Sequence, residues 1–146
     1  MDRGLALAAT VLAGSLIALQ APINSGLGKA IGTFAAAAGS FTIGTITLVA
    51  IAALTGGFDQ LTAARGLAWY YLIGGVLGAI YVTTALVAVR TLGGGGVTAA
   101  TIAGQLSMSL VIDRLGILGL EQRPLSLGRV FGVVLLVVGT FLVVRE

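Results

Sequence analysis

Residues 34–54 read FAAAAGSFTIGTITLVAIAAL, an apolar run with neither a charged side chain nor a proline. A bilayer crossing needs about 20 mostly apolar residues, and this stretch supplies them in one piece. Backbone polar groups inside lipid must be bonded within their own element, which leaves helices or closed barrels. A run this long without strict apolar–polar alternation is a helix. Comparable runs flank it: Leu5–Leu19 before, and Leu67–Val89, Val97–Ile112 and Val130–Val144 after, each bounded by charge, Gly or Pro. With their weakly polar flanks these predict spans near 4–29, 33–54, 67–90, 97–117 and 127–144. The expected fold is all-α, a polytopic membrane helix bundle of five transmembrane helices in a single domain covering 1–146.

Composition points the same way. Of the 146 residues 58% are hydrophobic and 9% charged, and the mean hydropathy is +1.11. Soluble domains carry roughly a quarter charged residues, so there is too little polar surface here to cover a water-exposed globule. Neither cysteine nor histidine occurs. Disulfides and thiolate ligands are therefore excluded, and the commonest remaining metal ligand and general base is missing. The chain reads as a non-enzyme, with no metal and no cofactor expected. Its net charge of +3 reflects few acids rather than a basic patch, so no nucleic-acid partner is implied. The first run resembles a signal peptide in having Arg3 before it, but it continues through Asn24 toward Lys29 without a persuasive A-x-A cleavage site. It reads as a span.

Two glycine clusters, Gly26-Leu27-Gly28-Lys29 and the four glycines between Leu92 and Val97, complete neither G-x-G-x-x-G nor G-x-x-x-x-G-K-[ST]. Both read as connectors, the second allowing the third and fourth helices to reverse within few residues. Gly74 and Gly78 on the third run, and Gly128, Gly132 and Gly139 on the fifth, are spaced for close helix packing.

Polar residues at membrane depth must find a partner or a water-filled cavity. Pro22 removes a backbone donor from the first helix and frees the carbonyl of Ala18, with Gln20 and Asn24 one turn apart beside it. Freed backbone and two amides suit the lining of a cavity, as in the broken helices of secondary transporters. On the fourth run Thr101, Gln105, Ser109 and Asp113 recur at intervals of four, and Ser40 and Tyr81 lie on comparable faces of the second and third. The candidate substrate cavity is Gln20, Asn24, Ser40, Tyr81, Thr101 and Gln105. Most other Ser and Thr are expected to bond back to their own helix. Asp113 falls about 24 Å along the fourth helix, near an interface and beside Arg114, a candidate ion pair or coupling site.

Arg3, Arg65, Arg114, Arg123 and Arg129 fall on one side of a five-span bundle, and Lys29, Arg90 and Arg145 on the other. So slight a bias suits either one orientation with the N-terminus inside or insertion both ways, as an antiparallel dimer requires.

The motifs Q-x-x-x-N (Gln20, Asn24), S-F-x-x-G (Ser40, Phe41, Gly44) and G-Q-x-x-x-x-x-x-I-D-R-x-G (Gly104, Gln105, Ile112, Asp113, Arg114, Gly116) resemble a family of short, five-span bacterial inner-membrane proteins. That family is placed in the drug/metabolite transporter superfamily and described as exporters. The resemblance covers nearly the whole chain. It implies a half-sized transporter, one five-helix repeat that pairs with a second copy or a sister chain in the bacterial inner membrane and moves an unidentified small molecule by alternating access. The superfamily's four-span exporters carry a proton-exchanging glutamate in the middle of the first helix, and this chain has no acid there. The alternative is a non-transporting scaffold or modulatory subunit, for which glycine-lined helix faces would suffice.

Overall fold

The computed structural model describes residues 2–59, 66 and 68–145. It contains four long apolar helices: α1 (Arg3–Ile31), α2 (Thr33–Thr55), α3 (Gly74–Leu115) and α4 (Leu127–Val144), with a 3₁₀ turn at Trp69–Ile73 leading into α3. The described residues include no strand. Arg65, and Leu67 at the start of the third expected span, lie outside the described residues. Large apolar side chains such as Leu16, Ile46, Leu72 and Phe131 are exposed along every helix, as lipid contact demands.

Five helices were expected, and the third and fourth meet within α3 as two helical stretches joined at Gly93. Within that helix Gly93 alone is non-helical, at φ 67° and ψ 171°, a region open essentially only to glycine. The rest of the four-glycine run is therefore helix rather than connector. Glycine costs about 1 kcal/mol against alanine in a helix interior, and Gly94, Gly95 and Gly96 are helical despite it. A Cβ on Gly95 would stand 3.9 Å from Val143, and one on Gly96 would stand 3.6 Å from Val144 and 3.1 Å from Leu92 Cβ, so the end of α4 lies at ordinary contact distance from this stretch. The other presumed connector is likewise helical, since Gly26 and Gly28 lie inside α1.

The chain divides into two compact units, Met1–Arg90 and Thr91–Glu146. In the first, the Asp2 carboxylate caps α1 by accepting from the backbone N–H groups of Gly4 (2.6 Å) and Leu5 (3.3 Å). The helix runs through Pro22 and ends at Gly32, whose φ of 92° and ψ of 153° let one residue close α1 and open α2. Gly32 donates its N–H to Gly28 and accepts from Ala36 (3.0 Å each). The buried residues of this unit gather near that turn: Asn24, Ser25 and Gly28 on α1, Ala36 and Ala37 on α2, and Val82, Ala85 and Leu86 on α3.

In the second unit, residues 94–115 of α3 and all of α4 form an antiparallel hairpin. Thr140 Oγ1 donates to the Ala99 carbonyl (3.1 Å) at one end, and Arg129 meets Asp113 at the other. Ser126 caps α4 by accepting from the Arg129 N–H (3.3 Å). The loop between them satisfies the last carbonyls of α3, with the Arg123 N–H donating to Asp113 (2.8 Å) and Gln122 Nε2 to Arg114 (3.0 Å).

Candidate functional site

All three helices of the first unit contribute to a recess of about 200 Å³. Gln20 of α1 faces Ser40, Phe41, Gly44, Thr45 and Leu48 of α2, and Val82 of α3 closes it. The α2 residues belong to two adjacent rows at intervals of four, so one helical face supplies both hydroxyls. Elsewhere on α2 the hydroxyls are spent on their own helix: Thr42 donates to Ala38 (2.8 Å), Thr47 to Ile43 (2.9 Å) and Thr55 to Ile51 (2.8 Å). Ser40 and Thr45 make no such bond among the described residues, and they are the hydroxyls that line the recess. An amide and two uncommitted hydroxyls on an otherwise apolar wall can orient a small polar molecule without carrying charge.

Asn24 lies one turn beyond Gln20 and is only 6% exposed. Its amide has no hydrogen-bond partner among the described residues, yet no side-chain polar atom there is both fully enclosed and unpaired. The amide is thus narrowly open to its surroundings. Pro22 sits between the two amides within α1 and, lacking an N–H, leaves the Ala18 carbonyl without its helical donor. Tyr81 is half-buried on α3, next in sequence to Val82 of the recess wall.

Thr101 and Gln105 belong to the second unit, where Thr101 is half-buried and Gln105 exposed. Asp113 also lies there, and its salt bridge is to Arg129 (3.4 Å) rather than to its neighbour Arg114. Consecutive helical residues point about 100° apart, whereas Arg129 rises from the facing helix directly opposite. Arg114 instead borders an apolar groove with Leu110, Val130 and Val134. Among the glycines singled out for packing, Gly78 touches a neighbour, with Phe41 Cζ 3.2 Å from where its Cβ would be. Gly74, Gly132 and Gly139 have nothing within 4 Å, and Gly128 meets only the nearby Ser126 hydroxyl.

Three residues outside the expected cavity, Arg90, Ser25 and Gly28, form a cluster beside Asn24. Arg90 Nε donates to Ser25 Oγ (3.2 Å), and an Arg90 terminal nitrogen lies 3.0 Å from where a Gly28 Cβ would stand. Gly28 and Ser25 share one face of α1 with Asn24 and Gln20 close by, a row that periodicity alone exposes. Their pairing with Arg90, 65 residues away from Ser25, leaves no local signature.

Comparison with known proteins adds a family. The family described as "Putative inner membrane exporter, YdcZ" matches residues 5–142. The "Inner membrane protein YdcZ" of Escherichia coli (strain K12) is 33% identical over 90 residues, which cover 62% of this chain and 58% of that protein. The alignment thus spans less than two thirds of the relative's length. No solved structure matches.

Proposed function

The chain belongs to the YdcZ family of inner-membrane proteins, and from that premise we propose that it is a small-molecule secondary transporter, an exporter that works as a dimer by alternating access. The observation that carries this reading is the recess between α1, α2 and α3, where Gln20, Ser40 and Thr45 present polar groups not committed to the protein's own backbone. A subunit that only scaffolds has no need to keep amides and hydroxyls unspent at membrane depth, where each one left unpaired is costly.

Helix length supports five crossings. At 1.5 Å per residue the 42 residues of α3 have a contour of about 60 Å, twice a hydrocarbon core of about 30 Å. Gly93 divides it into stretches 74–92 and 94–115, each about one core thickness long. With α1, α2 and α4 that makes five. Pairing of two such subunits is supported by Gly74, Gly132 and Gly139, whose open faces suit close approach by another helix. Two oppositely inserted copies would give alternating access its two equivalent gates.

The test is a screen of purified protein in nanodiscs for thermal stabilisation by amines, amino acids, sugars and hydrophobic drugs, followed by flux of any hit in proteoliposomes. Gln20→Ala and Asn24→Ala should insert and assemble normally while losing about 1–2 kcal/mol of ligand binding each. Normal flux in both variants, or the absence of any transported compound, would return the scaffold reading.

A further inference from the structure

Arg90 holds a position that the recess does not explain. Val82, Leu86 and Arg90 recur at intervals of four on α3, alongside Gln20, Asn24 and Gly28 at the same interval on α1. Val82 and Gln20 share the recess. Two turns on, Leu86 and Arg90 meet Gly28. The arginine therefore stands about 12 Å from the recess along the α1–α3 contact, at the end where Asn24 and Ser25 are buried.

Arg90 is exposed as a whole, with its guanidinium held against α1 at one point. Nε is engaged by Ser25 (3.2 Å). One terminal nitrogen rests over bare backbone, 3.0 Å from the space a Gly28 side chain would fill, and the fully buried Leu86 borders the same spot at 3.1 Å. The terminal N–H groups make no hydrogen bond among the described residues, and the salt bridge found there, Arg129 to Asp113, belongs to the other unit. The described acids of the first unit are Asp2, at the far end of α1, and Asp59, beyond the far end of α2. At its own end the nearest charge in sequence on α1 is Lys29, also a cation. An anchored guanidinium fork with its terminal donors free is the geometry that accepts a carboxylate or phosphate through paired N–H bonds.

We propose that Arg90, held by Ser25 over Gly28, is an oxyanion-binding site that takes the carboxylate or phosphate of an anionic molecule, with the Asn24 amide beside it. Binding itself does not depend on transport. That the oxyanion is part of the exported solute rests on the transport reading above, and in that case the substrate is an organic anion.

The experiment uses the full chain in an uncharged maltoside detergent at fixed ionic strength, with benzoate, inorganic phosphate and dioleoylphosphatidylglycerol as separate titrants and choline as the cationic control. Melting temperature is the readout, since a ligand stabilises by binding the folded state. Benzoate or phosphate should raise the melting temperature saturably and choline should not. Arg90→Gln should weaken that binding by about tenfold or more, as expected for a lost charge-assisted bond, and Ser25→Ala, which keeps the charge but frees its seat, by about fivefold. Should Arg90→Gln fail to fold, the Ser25→Ala titration decides. Stabilisation by phosphatidylglycerol alone would keep the oxyanion site but assign it to a lipid headgroup, overturning the solute assignment. No stabilisation by any anion, or equal stabilisation of wild type and variants, would overturn the site. Flux of the bound anion in proteoliposomes is scored separately, so that binding without flux counts against transport and not against Arg90.

Discussion

At Gly28 the absence of a side chain lets Arg90 and Leu86 lie directly on α1. A methyl group there would meet Leu86 at 3.1 Å and Arg90 at 3.0 Å. The guanidinium can move aside, but Leu86 is fully buried and cannot do so without repacking. Gly28→Ala should therefore cost about 1 kcal/mol or more and detach Arg90 from Ser25. Gly26, two residues earlier in the same helix, has nothing within 4 Å of its Cβ position, and Gly26→Ala should raise stability by about 0.5–1 kcal/mol. Melting curves of the two variants in one detergent make the comparison, and destabilisation of both would mean that the Gly28 contact is not what distinguishes them. Gln20, Ser40 and Asn24 could be picked out from the sequence because an amide or hydroxyl inside an apolar run is conspicuous at its own position. Arg90 and Ser25 could not, since an arginine near a helix end looks like an ordinary interfacial charge until its distant partner is known.

Gly93 makes α3 two helical stretches joined at a single residue. Its φ and ψ are closed to residues with a Cβ, so Gly93→Ala should cost about 1–3 kcal/mol, whereas Gly94→Ala, helical and with nothing within 4 Å, should not. A difference in melting temperature between these neighbours is the check. The Asp113–Arg129 pair joins the stretch 94–115 to α4, but its side chains are 29% and 37% exposed and 3.4 Å apart. Asp113→Asn should cost no more than about 1 kcal/mol, read as a shift in melting temperature. A bilayer sets the length of an apolar run and charge or glycine closes it, which makes the ends of α1, α2 and α4 legible, whereas α3 opens at Gly74, well inside the third apolar run. The glycine run reads as a connector because glycine is a poor helix former, yet of the four only Gly93 leaves the helix.

For the chain as a whole, five crossings require that the two termini lie on opposite membrane faces. Accessibility of tags at each end in intact cells measures this, and both ends on one face would exclude five crossings. The slight charge bias makes orientation adjustable. Two lysines added beside Arg65 should hold the N-terminus inside, and two beside Arg145 should favour the reverse. In an obligate antiparallel pair each fixed form would be inactive alone, and activity would return when the two are co-expressed. Full activity from either one would point to a parallel pair.

The turn at Gly32 bears on how such a chain could enter a membrane at all. With one residue between α1 and α2 there is no hydrophilic loop for the insertion machinery to carry across, and within this hairpin tip only Lys29 bears charge. Translocating one such side chain is opposed by about 3 kcal/mol at mid-membrane, against two helices' worth of apolar surface gained by the lipid. The first two helices can thus enter together as a closed hairpin, and the choice of which face receives the tip falls to Arg3 before it and the arginines synthesised after it.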